Sequence, residues 1–540
     1  MTQRAVNQAV YHGLNGLKRS VMHGNIVGMS SQKKPVRTRF APSPTGFVHI
    51  GNFRTALFAY LFAKHKKGQF ILRIEDTDQN RKMEGAIEVL LRTMQTMGLA
   101  FDEGYYIAED GTVKEQGEHG PYLQSQRLEI YQKHVQELIQ KKNAYYCFCS
   151  EERLEELKKE QIALKKPSMY DRLCRSLVAE EVFTKLDNFK TAEKNPVVRF
   201  AVPLEGSTTI HDVIYGDVTY EHAVLDDQII QKSDGFPTYH LAVVVDDHYM
   251  EITHVIRGDE WIPSTPKHIL LYEAFGWEPT VFAHAPLILN ADKSKLSKRQ
   301  GDVAVEDYLT KGYLPAALIN FVAFLGWNPK TEQEIFSLGE LVTEFKLSKV
   351  NKSPAVFDIH KLDWMNSKYI REKSDSELAE LLIPYWKEAG LLSEQMATAN
   401  GQTVTTQYLQ AIASLEKERL KKLSEIGERT AYFFNEPEYD ASLLVWKKSD
   451  ASSTKTVLSD LHDLLVQCNE NDFTKESLES KIKTFIAEKS YDNGSVLWPL
   501  RVSMTGLPAS PGPFEVTATL ALGLGKDKIL ERLQTAITKL

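Results

Sequence analysis

The sequence predicts an α/β chain: a doubly wound parallel-sheet body, an α+β insertion within it, and an all-α C-terminal part. Three observations predict it. A strand, a tight turn, a helix and a second strand follow one another between residues 36 and 74. Charged helical stretches interrupt that pattern from about 100 to 200, after which strands return. Beyond about residue 345 strand signals fade and helical periodicity dominates.

Each element has its own warrant. Val36-Arg37-Thr38-Arg39-Phe40 is alternating and β-branched, as a short half-buried strand is. Pro42, Pro44 and Gly46 then force a turn. Across 52–66, Phe53, Ala56, Leu57, Tyr60, Leu61 and Ala63 recur at helical spacing. Residues 69–74 read as a second strand, ending in the acidic cluster Glu75-Asp76-Thr77-Asp78. Such a β–α–β unit is what a doubly wound sheet is built from. The insertion carries helices at 126–142 and 151–166 and a strand at 197–200. Strands at 228–231, 251–256 and 281–284, with a helix at 265–275, return the chain to the α/β body. That body runs to about 330, and helical patterns at 376–426 and 458–489 fill the remainder.

Composition bounds the function. At 540 residues the chain exceeds one hydrophobic core, and three to five domains are expected. No apolar run approaches the ~20 residues of a membrane span; the longest, 314–327, is broken by Asn320 and reads as a core helix. The net charge of -7 neither demands nor excludes a nucleic-acid partner, because such a partner needs a basic face rather than a basic protein. Four cysteines argue against a disulfide scaffold and for a reducing compartment, so a cytoplasmic protein is expected. Residues 1–34 are basic and free of acid. Two readings stand, an organellar targeting leader, or a disordered tail or misassigned start upstream of Met29, and the second is preferred.

Four segments carry chemistry. The first runs from Arg39 through Ser43 to Gly46 and on to His49-Ile50-Gly51-Asn52. A strand end feeding a helix N-terminus offers backbone N–H groups to an anion, and Gly51 admits close approach of an adenine or phosphate. The alternative is an ordinary strand–helix corner capped by Asn52. The second, Lys293-Ser294-Lys295-Leu296-Ser297-Lys298-Arg299, is a basic loop suited to the charge on a departing pyrophosphate, or simply a solvated loop. The third, Arg73 to Asp78, sets three carboxylates at a strand's carboxyl end, where open sheets bind ligands. The fourth places Tyr239, His240, Asp246 and Asp247, then Arg257 to Trp261, beside further strand ends.

As a set these segments resemble the signatures of class I aminoacyl-tRNA synthetases, read as HIGH and KMSKS and present here as His49 to Asn52 and Lys295 to Arg299. The flanks at 39–46, 73–78, 234–240, 245–248, 256–261 and 264–266 are similar to bacterial-type glutamyl-tRNA synthetases, in order and spacing, from about residue 36 to 540. Asn52 replaces the last His of the first signature, and Arg299 ends the second; both are normal in this branch.

The resemblance implies a doubly wound Rossmann-type catalytic domain at 35–120 and 216–345, an acceptor-binding insertion at 121–215, and helical anticodon-binding domains at 346–540. It implies a monomer that uses ATP with Mg2+, L-glutamate and tRNA(Glu), with no membrane partner. His49 and Lys298, with Lys295 assisting, would stabilise the reacting phosphates, while Gly51 and Asn52 seat ATP. Arg39 would pair the substrate's side-chain carboxylate, Glu75 its ammonium and Arg257 its α-carboxylate, with Ser43, Tyr239 and Trp261 lining the pocket; the two arginines are open to exchange. Cys147, Cys149 and Cys174 match the spacing of a zinc site in some members, but Ser176 stands where the fourth ligand, a His, would be. Zinc with an outside fourth ligand and a degenerated site with free thiols both stand, the second being preferred because structural zinc sites close with four protein ligands. A silent RNA-binding scaffold is disfavoured by the retention of His49, Lys295 and Lys298.

Overall fold

The computed structural model describes residues 34–78, 83–296 and 303–540, and the compact unit is Val36–Leu540. The leader reading, and the Lys298 and Arg299 part of the second signature, lie outside the described residues.

The body begins with β1 (Arg37–Phe40), α1 (Ile50–His65) and β2 (Gln69–Leu72). β1 and β2 pair in parallel, Arg37 opposite Gln69 and Phe40 opposite Leu72. α1 is buried over most of its circumference (Ile50, Phe53, Leu57, Phe58 and Leu61) because its sequence is apolar on nearly every face. Next come α2 (Ala86–Thr96), the hairpin β3 (Gly104–Ile107) with β4 (Val113–Gln116), and α3 (Leu128–Gln140). The insertion continues with β5 (Ala144–Cys147), α4 (Glu151–Ala163), α5 (Ala179–Thr191) and β6 (Val197–Phe200). The hairpin of β7 (Ser207–Asp212) with β8 (Gly216–Glu221) precedes β9 (Ile229–Gln231). Around the expected limit at 215 the strands interleave: β9 joins β5 and β6 in one antiparallel sheet, whereas β7 joins the body's sheet.

The body resumes with α6 (Tyr239–Tyr249), β10 (His254–Gly258), α7 (Thr265–Phe275) and β11 (Val281–Ala285). β10 and β11 are parallel, β7 flanks β11, and the Thr253 N–H donates to Arg37 O at 3.0 Å, seating β10 beside β1. The carboxyl ends of β1, β2, β10 and β11 therefore open on one edge. α6 is a helix where the sequence predicts only polar groups beside strand ends. Its Val243-Val244-Val245 run favours a strand locally, but burial of all three makes it a core helix.

β12 (Ile288–Leu289), α8 (Val305–Thr310), α9 (Pro315–Ala323) and α10 (Leu338–Glu344) lead to β13 (Ala355–Val356), which pairs with β12, and α11 (Ile359–Arg371). The core under the site does not stop at residue 345: Phe357, Leu362 and Met365 pack into it beside Phe53, Trp327 and Phe345. Leu314 and Ala317 instead belong to the core of the helical region, which extends through Asp375–Glu388, Ala451–Val466 and Lys526–Lys539. Among the described residues no helix is long and apolar enough to cross a membrane.

Candidate active site

A cavity of about 610 Å³ opens at that carboxyl edge. Into it the structure brings Arg39, Ser43, His49, Gly51, Asn52, Glu75, Tyr239, Arg257, Trp261 and Lys295, the residues expected to meet ATP and glutamate within the described part. Arg39 and Arg257 stand on β1 and β10, and the segments after β1, β2, β10 and β12 supply the others except Tyr239, which opens α6 after β9 of the antiparallel sheet. Carboxyl ends of parallel strands are where open sheets bind ligands.

His49, rather than Asn52, caps α1: its Nδ1 accepts from the Gly51 N–H at 2.9 Å, which leaves the proton on Nε2. A Cβ on Gly51 would stand 3.2 Å from that Nδ1, so glycine serves the cap as well as the cavity. The segment after the second signature is tied to the first. Ile50 N–H donates to Val303 O at 2.7 Å, and Val305 N–H to Val48 O at 2.9 Å. On the other side, Leu296 N–H returns to Ile288 O at 3.1 Å and holds Lys295 at the cavity's edge. Both flanks of the basic loop are thus anchored beside the cavity, one of them at the N-terminus of α1.

One wall of the cavity is a buried charge lattice. Arg73 donates to Asp247 Oδ1 at 2.7 Å and to Glu75 Oε1 at 3.1 Å, and Arg39 Nε reaches Asp247 Oδ1 at 3.3 Å. Asp246 accepts from Arg127 and Tyr131 at 2.7 Å and from Gln124 at 2.8 Å. Burial works to lower the Arg73 pKa, but Asp247, Glu75 and Asp246 hold it well above its ordinary value. Burial pushes the Glu75 carboxyl up, against Arg73 and Arg39. Asp76 is committed to the fold through the Ser125 N–H at 2.8 Å.

The opposite wall holds Arg257 differently. Its Nε donates to His284 Nε2 at 3.1 Å and Nη2 to Thr265 Oγ1 at 2.8 Å, and Nη1 lies 3.2 Å from Tyr239 Oη and 3.3 Å from His268 Nδ1. Tyr239 in turn packs on Trp261 with ring centroids 4.4 Å apart. His268 and His284 are not singled out by the sequence, and Thr265 enters only within the flank 264–266. A histidine on the apolar helix Thr265–Phe275 carries no signal of its own, because its partner is supplied by another strand.

The thiols of Cys147, Cys149 and Cys174 also converge, with all three Sγ atoms within 4.8 Å of one another. Sequence reasoning missed Tyr170, whose Oη is 3.5 Å from Cys147 Sγ and 3.3 Å from Cys149 Sγ. Its only sequence signal is its place four residues before Cys174.

The chain matches the family of class I tRNA synthetases (E and Q), catalytic domain, over residues 35–364, and an anticodon binding domain over residues 377–537. It is 45% identical over 509 residues to the glutamate–tRNA ligase of Clostridium botulinum strain Hall, covering 94% of this chain and 98% of that one. It is 43% identical to that of Alkaliphilus metalliredigens, covering 92% and 98%. Among solved structures, a glutamate tRNA ligase from Elizabethkingia meningosepticum in complex with its amino acid superposes with a TM-score of 0.82 at 35% identity, over 94% of this chain and 99% of that one. A catalytic-domain match over residues 35–364, relatives 43–45% identical over most of the chain and a solved structure superposing over 94% of it make this chain a member of the glutamate–tRNA ligase family of class I tRNA synthetases.

Proposed function

We infer that this chain activates L-glutamate with ATP and transfers the glutamyl group to tRNA(Glu). The observation that carries the reading is one cavity holding Arg39, Glu75 and Arg257 next to His49, Gly51 and Lys295. The α-carboxylate attacks the α-phosphorus of ATP, which enters with Mg2+; glutamyl-adenylate forms and pyrophosphate leaves. The terminal tRNA ribose then takes the glutamyl group. Neither step needs a covalent enzyme nucleophile, so position and fixed charge supply the catalysis. His49 offers its Nε2 proton to phosphate oxygens, and Lys295 and Lys298 offset charge on the pyrophosphate.

Charge on the two walls supports exchanging the arginine roles. Arg39 lies beside Glu75, so this pair suits the adjacent α-carboxylate and α-ammonium. Arg257, with Tyr239, then reads the side-chain carboxylate. Incubating enzyme, ATP, labelled glutamate and bulk tRNA yields acid-precipitable label on this reading; no label above a minus-enzyme control refutes it.

We propose further that residues 377–537 reach the anticodon and that the catalytic body extends to about 371 rather than 345, in keeping with the core membership of Leu362 and Met365. We also propose zinc at the thiol cluster. Tetrahedral bonds of about 2.3 Å put sulfurs about 3.8 Å apart, and Cys149 and Cys174 already stand at 3.6 Å, with Tyr170 Oη as the fourth donor. Elemental analysis of chelator-free protein would give one equivalent, lost in Cys149→Ser; none in the unaltered protein refutes the site. The absence of paired cysteines fits the cytoplasmic setting proposed for such an enzyme.

A further inference from the structure

Arg257 is buried, lines the cavity, and among the described residues forms no ion pair. Its four partners are His284, His268, Thr265 and Tyr239. The hydrogen bonds dictate the tautomers. His284 Nδ1 lies 2.6 Å from Asp212 Oδ2 and donates to it, so its Nε2 accepts from Arg257. His268 Nδ1 accepts from Arg257, so its Nε2 donates to His240 Nδ1 at 3.0 Å. His268 and His284 must be neutral, since a protonated ring could not accept from a guanidinium, and His240 must be neutral at Nδ1 to accept from His268. Burial agrees: it lowers the pKa of His268 and His284 and takes His240 down to about 4.

The contrast with Arg39 and Arg73, both on Asp247, gives this arrangement its meaning. A carboxylate beside a buried guanidinium would hold it equally well but would cancel its charge. We propose that His268 and His284 are positioning residues for specificity: they fix Arg257 with neutral acceptors and so preserve its charge for the substrate's side-chain carboxylate. Glutamine, nearly the same shape, brings no charge and gains nothing from an unneutralised guanidinium. The proposal rests on the reading above that Arg257 meets the glutamate side chain.

The test compares a neutral with a charged acceptor at one position. His268→Asn keeps an acceptor near the place of Nδ1, and His268→Asp puts a carboxylate there. ATP–pyrophosphate exchange with glutamate and with glutamine, tRNA present, gives the ratio of kcat/KM. His268→Asn should hold the glutamate-to-glutamine ratio within about threefold of the unaltered protein, while His268→Asp should drop it about tenfold or more, mostly through a higher KM for glutamate. His284→Gln and His284→Glu repeat the comparison from the Nε side should the first pair not fold, as judged by thermal unfolding. Equal ratios in the neutral and the charged variant, whether both high or both low, overturn the proposal, since a merely structural histidine would not distinguish them. If the unaltered protein fails to activate glutamate, the functional reading falls first and takes this inference with it.

Discussion

The two walls of the cavity bury arginine in opposite ways. On the wall of β1, β2 and α6, Arg39, Arg73 and Arg127 meet Glu75, Asp246 and Asp247, so positive and negative charges are equal in number. On the opposite wall, Arg257 of β10 hydrogen-bonds to imidazole, hydroxyl and phenol and, among the described residues, pairs with no carboxylate. A matched lattice needs no ligand to be complete and stands as a frame. An unmatched charge is completed by what enters. On the function proposed above, the first arrangement serves folding and the orientation of the α-end of the substrate, the second the choice of substrate.

Breaking the frame should have the largest effect. Asp246→Ala removes the acceptor shared by Arg127, Tyr131 and Gln124 and strands a buried cation. A loss of about 3–5 kcal/mol is expected, read as a large fall in the thermal unfolding midpoint of the full chain. A midpoint unchanged within a degree or two would mean that the lattice does not hold the fold.

Arg257→Gln addresses the other wall and should leave the midpoint nearly alone. Loss of a charge-assisted pair in a buried site costs on the order of 3 kcal/mol, roughly a hundredfold in kcat/KM for glutamate. The gap to glutamine should narrow by a similar factor. Arg39→Gln sharpens the comparison: glutamate use falls by about tenfold with the glutamate-to-glutamine ratio kept. The reverse pattern, discrimination lost at Arg39 and kept at Arg257, would restore the assignment that the sequence favours.

The smallest effect is acid sensitivity. His240 and His254 are held neutral by burial, each with a pKa of about 4 against an ordinary value near 6.5. The unfolded chain therefore binds protons that the folded chain refuses. The stability they lend is complete above about pH 6.5 and is lost as pH falls towards 4. Unfolding midpoints between pH 7 and pH 4 should slope downwards, less steeply in His254→Gln; a flat profile would show that these rings titrate normally.

What was legible in the sequence is what short-range patterns encode. The β–α–β opening and the helix at 265–275 appear where spacing put them, and the residues that the resemblance singled out for glutamate and ATP, so far as they are described, line one cavity. The rest depends on contacts between distant segments. Asp212 and His284 are 72 residues apart, and Tyr170 sits 23 residues from Cys147. Neither pair has a periodicity to betray it. The helix at α6 was hidden by three consecutive valines whose β-branching argues locally for a strand. The limit near 345 was drawn where strands fade, yet α11, though helical, packs Leu362 and Met365 into the catalytic core. Periodicity names an element's type, not the core it joins.

The most direct test of the account is ATP–pyrophosphate exchange by the unaltered protein, with tRNA present, using glutamate and then glutamine at matched concentrations. An unneutralised Arg257 predicts a preference for glutamate of about a hundredfold or more in kcat/KM. Comparable exchange with the two amino acids would contradict it.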